Sequence, residues 1–142
     1  MEPISANLSF LLHLAKSQAA MARRFDSRLG GGLGFNDFVI LYHLSQADGE
    51  KLRRVDLAEK IGLTASGVTR LLAPMEKIGL IQRETDARDA RVSYVLLAPG
   101  GKRLLTERLE KAEILAGEAL PSGRAKKIEE LSEILIHLDG AG

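Results

Sequence analysis

The chain has 142 residues, of which 45% are hydrophobic and 27% charged, and its formal net charge at pH 7 is +1. This length and composition predict one folded, soluble globular domain. The lack of cysteine excludes disulfides, thiolate zinc sites and cysteine redox sensors. The sequence shows neither an apolar run long enough to cross a bilayer nor a secretory leader, so we expect no membrane association and a cytoplasmic protein.

Apolar residues at helical spacing predict a long amphipathic helix over residues 4–29. Three successive glycines at positions 30–32 should end it, because each costs a helix about 1 kcal/mol relative to alanine. A second helix is predicted to follow and to end near Ala47, Asp48 and Gly49. The side chains expected to face inward from it are Phe35, Phe38, Val39, Leu41, Tyr42 and Leu44.

The next two predicted helices are joined by a tight turn. The first covers residues 54–62 and ends at Gly62, since glycine suits the left-handed position that follows a helix. Thr64 is a favourable N-cap for the second helix, which is predicted to run to Gly79 with a bend at Pro74, because proline lacks the backbone N–H donor. The residues predicted for its buried face are Val68, Leu71, Leu72, Met75 and Ile78.

Residues 80–85 and 92–97 contain β-forming residues and predict a hairpin with a charged loop at positions 86–91. Pro99 then suits the first turn of a further helix, and an interruption at residues 120–123 separates that helix from a last one. The predicted fold is mainly α with a small β-hairpin (α+β). Its order of four helices, two strands and two helices is that of a winged helix-turn-helix with flanking helices.

The segment VDLAEKIGLTASGVTRLLAPMEKIGLI, residues 55–81, resembles the DNA-binding core of MarR-type transcriptional regulators. The Asp-x-Arg-Asp-x-Arg pattern at residues 86–91 resembles the wing signature of that family. The resemblance implies a DNA-binding lobe at residues 34–98, between dimerisation helices at 1–33 and 99–142 that intertwine with those of a second subunit. The chain departs from the family pattern at Gly34, Arg53 and Ala98, where relatives usually have a Ser or Thr helix cap.

A helix that contacts bases must present short polar or basic side chains to the major groove. The helix that follows Thr64 has such a face, on which Arg70 suits a guanine and Gly67 allows close approach. The alternative is an ordinary solvated helix face. The predicted DNA-contacting residues of this helix are Thr64, Ala65, Ser66, Gly67, Thr69 and Arg70.

At the tip of the hairpin, Arg88 is predicted to enter the minor groove, where narrow A·T-rich stretches concentrate negative potential. Asp86, Asp89 and Arg91 are expected to brace the loop. A merely soluble loop tip is the alternative, because exposed ion pairs contribute only about 0 to 1 kcal/mol. Other arginines of the lobe are either phosphate contacts or ordinary exposed side chains. Those predicted to touch phosphate are Arg53, Arg54 and Arg83.

The terminal helices carry more apolar surface than a small winged domain can bury, which predicts a homodimer, with an intramolecular helical cap as the alternative. A twofold pair would place two recognition helices about one DNA turn apart, or a multiple of it, on a pseudo-palindrome. The resemblance further implies repression that a small aromatic or phenolic ligand relieves. Six residues are candidates to line the pocket for this ligand, with an ordinary core position as the alternative for each. They are Phe10, His13, Arg24, Phe38, Tyr42 and His43.

The sequence contains no glycine-rich phosphate loop, nucleophile elbow or close histidine spacing, so we expect neither an enzyme nor a cofactor or metal site. The main rival to a DNA-binding regulator is a winged helix that docks a protein partner. Salt dependence distinguishes the two, since each neutralised phosphate adds a slope of about −0.9 in log affinity against log salt.

Overall fold

The computed structural model describes residues 2–141. The mainly α fold with a small antiparallel sheet is confirmed. A 3-10 turn (Asp48–Glu50) precedes the first strand and a π turn (His137–Ala141) follows the last helix. The elements are α1 (Ala6–Arg28), α2 (Phe35–Gln46), β1 (Lys51–Arg53), α3 (Arg54–Ile61), α4 (Ala65–Lys77), β2 (Ile81–Thr85), β3 (Ser93–Leu97), α5 (Pro99–Ala119) and α6 (Ala125–Ile136).

The sheet has a strand that the sequence did not predict. Its order is β1-β3-β2, with both pairings antiparallel. Val95 of β3 is fully buried and pairs with Leu52 of β1 on one side and with Arg83 of β2 on the other. Three residues are too few to show an alternating pattern, so β1 is recognisable only through its pairing with β3. The hairpin is therefore fastened directly to the start of α3.

Side-chain oxygens cap the starts of α4 and α2. Thr64 caps α4 as predicted, its hydroxyl accepting a hydrogen bond from the Gly67 amide at 3.1 Å. Gly34 has no side chain to cap α2, and two carboxylates take over that task. Asp37 accepts from the Gly34 amide at 3.1 Å, and Asp26 of α1 accepts from the Phe35 amide at 2.7 Å. The missing cap is thus replaced, and one of the substitutes ties α2 to α1.

The core lies where α2, α3 and α4 pack on the sheet and on α5. Two expectations about it are wrong. Ile78 is 68% exposed, because the chain leaves the helix there and Ile78 is the C-cap of α4. Tyr42 is 43% exposed, and the neighbouring Ile40 is buried instead. The largest fully buried side chains are Leu29, Ile40, Leu41, Leu44, Leu57, Val68, Leu72, Met75, Ile81, Val95 and Leu115.

The terminal helices leave apolar side chains at the surface. In α1 only Phe25 is buried, and α6 buries none of the residues that the structure describes. Within residues 2–141, no helix combines the length and the apolar character that a membrane span requires. The division into a lobe at 34–98 and flanking dimerisation helices stays a prediction. The exposed large apolar residues of these two helices are Leu8, Phe10, Leu11, Leu12, Met21, Leu131, Ile134, Leu135 and Ile136.

Candidate nucleic-acid interface

The first half of α4 faces an open hollow of about 670 Å³. Ser66 and Arg70 are exposed there, so this face is not covered by the protein's own helices. The start of α3 forms the opposite wall. The hollow is wide and shallow enough for a large partner to reach the side chains on its floor. Its lining residues are Arg54, Ala65, Ser66, Thr69 and Arg70.

Thr69 differs from the sequence-based expectation of a free base-contacting side chain. It is half-buried, its hydroxyl donates to the Ala65 carbonyl at 2.9 Å, and it accepts from Nη1 of Arg54 at 3.0 Å. Since a hydroxyl has only one donor, nothing remains on Thr69 to donate to a base. The structure therefore links Thr69 to Arg54, which sequence reasoning treated separately.

Thr64 and Gly67 act together at the start of α4. The Thr64 hydroxyl caps the Gly67 amide and lies 3.3 Å from the Ser66 hydroxyl. A Cβ atom on Gly67 would lie 3.2 Å from the Thr64 hydroxyl oxygen, which is tighter than ordinary van der Waals contact. The small size of Gly67 thus has a structural reason in the cap itself, separate from any approach to DNA.

Asp86 organises the loop between β2 and β3. Its Oδ1 accepts from the backbone amides of Arg88 at 2.7 Å and Asp89 at 3.1 Å, and its own amide donates to the Val92 carbonyl at 3.0 Å. Residues 86–91 contain no glycine, and these bonds to the Asp86 side chain form the turn. Arg88 projects from this turn, exposed, and its side chain makes no hydrogen bond or ion pair with any residue from 2 to 141.

Asp89 and Arg91 form a two-pronged ion pair on the same loop. Nε of Arg91 donates to Oδ1 at 3.0 Å and Nη2 donates to Oδ2 at 3.1 Å. The hydrogen bonds from Arg91 lower the pKa of Asp89, and the Asp89 carboxylate raises the pKa of Arg91. Both side chains stay charged at neutral pH, so in this structure a carboxylate lies beside the guanidinium that Arg91 exposes.

Arg83 of β2 forms an ion pair with another residue of the same chain. Its guanidinium donates to Oε1 of Glu76 through Nε at 3.0 Å and through Nη2 at 2.8 Å. This ion pair connects β2 with the last turns of α4 and competes with any phosphate contact by Arg83. Glu76 is a residue that the sequence analysis missed. Its partner lies on β2, beyond the end of α4, so the periodicity of the helix does not reveal the pair.

Arg53 and Arg54 lie at the junction of the wing and α3. Arg53 is exposed at the N-cap position, without a side-chain capping bond. With Arg54 and Arg91 it lines a crevice of about 40 Å³. Three arginines therefore line one crevice between the start of α3 and the loop that precedes β3, and Asp89 is the carboxylate paired with one of them, Arg91.

The predicted effector residues divide between two helices. On α1, Phe10, His13 and Arg24 are all exposed. Phe10 is about 22 Å along the helix from Phe25, which touches α2, at a rise of about 1.5 Å per residue. Whether the six form a pocket stays a prediction. On α2, the predicted residues are Phe38, which packs on the core, and Tyr42 and His43, whose ring centroids are 5.7 Å apart.

His43 lines a different hollow, of about 380 Å³, at the end of α2. Lys51 and Lys60 line it as well. Burial and the nearby charge of Lys60 lower the pKa of His43, which favours the neutral imidazole. Among residues 2–141, no three His, Asp or Glu side chains come together in a group able to hold a metal ion.

Comparison with known proteins identifies relatives over nearly the whole chain. The profile of the MarR family matches residues 35–93. The transcriptional regulator BldR from Sulfolobus solfataricus is 30% identical, with a TM-score of 0.81 over 96% of this chain and 99% of that one. Sco3205, a MarR family transcriptional regulator from Streptomyces coelicolor solved in complex with DNA, is 20% identical, with a TM-score of 0.73 and coverage of 95% and 89%. The PcaV regulator of the same organism, solved with its natural ligand, is 17% identical, with a TM-score of 0.74 and coverage of 96% and 98%.

Proposed function

This chain belongs to the MarR family and is a transcriptional regulator, and we propose that it represses transcription by binding a pseudo-palindromic DNA operator as a homodimer. The observation that carries the proposal is the open face of α4, where Ser66 and Arg70 line a hollow beside an arginine-lined wing. A short polar side chain and an arginine on one face of a helix are suited to base edges in the major groove.

The proposed contacts divide between the grooves and the phosphate backbone. Ser66 and Arg70 contact bases in the major groove, and Ala65 and Gly67 let the helix come close. Arg88 enters the adjacent minor groove from a loop that Asp86 and Asp89 hold in shape. Arg53 contacts phosphate. Arg83 would have to leave Glu76 to do so, which makes it the weakest candidate of the set.

The exposed apolar faces of the terminal helices support the homodimer. The twelve residues of α6 include none that is buried, although Leu131, Ile134 and Leu135 lie on it. A helix this short is marginal in water unless its apolar face packs against something. A second subunit would bury this face, and twofold symmetry would present both α4 helices to one duplex.

We also propose that a small aromatic or phenolic ligand releases the protein from DNA. PcaV, which shares the fold, has been solved with its natural ligand. The predicted pocket residues lie on α1 and α2. They can bind one ligand together only where these two helices meet, within one subunit or between two subunits. Because the proposed target is chromosomal DNA, we place the action of the protein in the cytoplasm and propose no catalytic activity for it.

The test starts with selection of 40-base-pair duplexes from a random pool on the purified protein, followed by fluorescence anisotropy with a selected and a random duplex. We expect Arg70→Ala to weaken the selected duplex about 5- to 150-fold, corresponding to about 1 to 3 kcal/mol for one bidentate base contact, and to leave the random duplex little changed. Arg88→Ala should weaken A·T-flanked sites. Arg103→Ala, on the exposed surface of α5, is the matched control.

The rival hypothesis of a protein-docking winged helix makes the opposite prediction. In that case no duplex is enriched, and affinity shows no steep dependence between 50 and 200 mM salt, since there are no phosphate contacts to release counterions (roughly −0.9 in slope per contact). If both arginine variants bind the selected duplex as tightly as wild type, the assignment of the contacts is wrong even though DNA binding stands.

A further inference from the structure

Arg54 and Thr69 are joined across the hollow that separates α3 from α4. Nη1 of Arg54 donates to the Thr69 hydroxyl at 3.0 Å, and that hydroxyl in turn donates to the Ala65 carbonyl at 2.9 Å. The two bonds form a chain from the guanidinium to the backbone of the recognition helix. Thr69 is therefore oriented by α4 and, in turn, orients Arg54.

The remaining nitrogens of Arg54 are not equivalent. Nε is buried and has no hydrogen-bond partner among the residues from 2 to 141. Nη2 makes no hydrogen bond within those residues either, but it is not among the buried nitrogens and so reaches the surface. An arginine cannot lose its proton in a protein, so Nη2 presents two charged N–H donors at the surface.

The position of Arg54 indicates which acceptor it meets. Its side chain lines the hollow below α4 and also the crevice that Arg53 and Arg91 line at the base of the wing. A DNA strand that runs from the recognition helix to the wing passes this junction. Phosphate oxygens are the acceptors that such a strand presents, and they form charge-assisted hydrogen bonds with arginine.

We propose that Thr69 acts on DNA through Arg54: its hydroxyl holds the guanidinium at the wall of the hollow, where Nη2 binds a backbone phosphate between the recognition helix and the wing. Thr69 is then a positioning residue and does not contact a base. The inference rests on the proposed DNA-binding function. In place of a base contact by Thr69 and a separate phosphate contact by Arg54, it gives one phosphate contact that the two residues make together.

A double-mutant cycle tests this unit, with the selected 40-base-pair duplex and a random duplex as probes. Thr69→Val removes the hydroxyl and keeps the shape, Thr69→Ser keeps the hydroxyl, and Arg54→Ala removes the guanidinium. We expect Arg54→Ala and Thr69→Val each to weaken both duplexes about 10- to 150-fold, the range for one charge-assisted bond. The double variant should bind no worse than Arg54→Ala alone, and Thr69→Ser should bind within about twofold of wild type.

Salt dependence gives a readout that a base contact by Thr69 would not affect. Loss of one phosphate contact lowers the magnitude of the slope of log affinity against log salt by about 0.9. We expect Arg54→Ala to do this and Thr69→Val to do so in part, although threonine carries no charge. Arg53→Ala is the matched control. It should also lower the magnitude of the slope, but the double variant of Arg53→Ala with Thr69→Val should lose affinity by the product of the two single fold-changes.

The measurements distinguish failure of the proposed function from failure of the link between Thr69 and Arg54. If wild type binds neither duplex with a steep salt dependence, both the proposed function and this inference are wrong. If wild type binds normally but Thr69→Val leaves the slope unchanged, or its effect multiplies with that of Arg54→Ala, only the inference is overturned. Thermal unfolding monitors the fold of each variant, and Arg54→Met, which keeps the apolar stem, replaces Arg54→Ala if the latter is unfolded at the temperature of measurement.

Discussion

Gly101 in the first turn of α5 packs directly against the backbone carbonyl oxygen of Leu80, at the start of the hairpin. A Cβ atom on Gly101 would overlap that oxygen and would lie 3.1 Å from a methyl group of Leu41. The same oxygen accepts a hydrogen bond from the Ala98 amide at 3.1 Å. This contact seats α5 on the hairpin and on α2, and therefore fixes the direction in which α5 leaves the sheet.

A methyl group at this contact should destabilise the fold. We expect Gly101→Ala to lower the free energy of unfolding by about 1 to 3 kcal/mol, because the overlap is with backbone and neither α5 nor the hairpin can move away without breaking other contacts. Gly117→Ala, in the same helix and with no atom within 4 Å of the added methyl, should raise it by about 0.5 to 1 kcal/mol. Urea denaturation of the two variants measures both values. Equal effects would contradict the packing argument.

The loop of the wing should lose its shape when Asp86 is replaced by alanine. The carboxylate accepts hydrogen bonds from the backbone amides of Arg88 and Asp89. Without it, these amides would form hydrogen bonds with solvent water instead. We expect amide hydrogen exchange at both positions to accelerate at least about tenfold, the change for a bond of about 1.4 kcal/mol, while global stability changes little. Glu84→Ala, on the exposed adjoining strand, is the control. Unchanged exchange would mean that the loop is held in some other way.

His43 should make stability depend on pH near neutrality. Its pKa is lowered from the ordinary 6.5 by burial first and by the charge of Lys60 second. As the pH falls through 6.5, His43 therefore binds a proton more readily in the unfolded chain than in the folded chain, and the free energy of unfolding decreases. Lys60→Gln should raise the pKa of His43 and reduce this loss, whereas Lys126→Gln on α6 should not.

Two measurements follow the effect of Lys60. Titration of the His43 ring by NMR gives its pKa in each protein, and urea denaturation at pH 7.5 and 5.5 gives the change in stability. A pKa of His43 that stays the same in Lys60→Gln would show that burial alone accounts for the shift.

A charge on the apolar face of α6 should disrupt the proposed homodimer. Ile134 is 52% exposed in the single chain, so a glutamate there costs the isolated subunit little. In a dimer interface the same carboxylate would be buried without a partner. We expect Ile134→Glu to sediment as a monomer at micromolar concentration and to bind the selected duplex weakly. Lys126→Glu, which places the same side chain on an exposed position of α6 away from the row of Leu131 and Ile134, should remain dimeric. If Ile134→Glu sediments like wild type, this face is not the subunit interface.

Much of the fold could be predicted because it depends on neighbours along the chain. Gly62 has a φ of +70° at the end of α3, as the choice of glycine indicates. The Thr64 cap is likewise a contact between residues three positions apart. The order of helices and strands follows from the apolar period and from such caps, and it was sufficient to find the α4 face and the wing.

The relationships that decide the candidate site are contacts between different helices and strands, and sequence patterns do not report them. β1 exists because β3 pairs with it, Arg83 is held by Glu76, and Thr69 is occupied by Arg54. Each joins two elements that only the folded chain brings together, so no period within one helix or strand predicts it. The sequence by itself thus determined which elements form and which face of α4 stays polar, whereas only the tertiary structure decided which arginines and hydroxyls on that face are free, because hydrogen-bonding capacity is consumed by whichever partner the fold brings within reach.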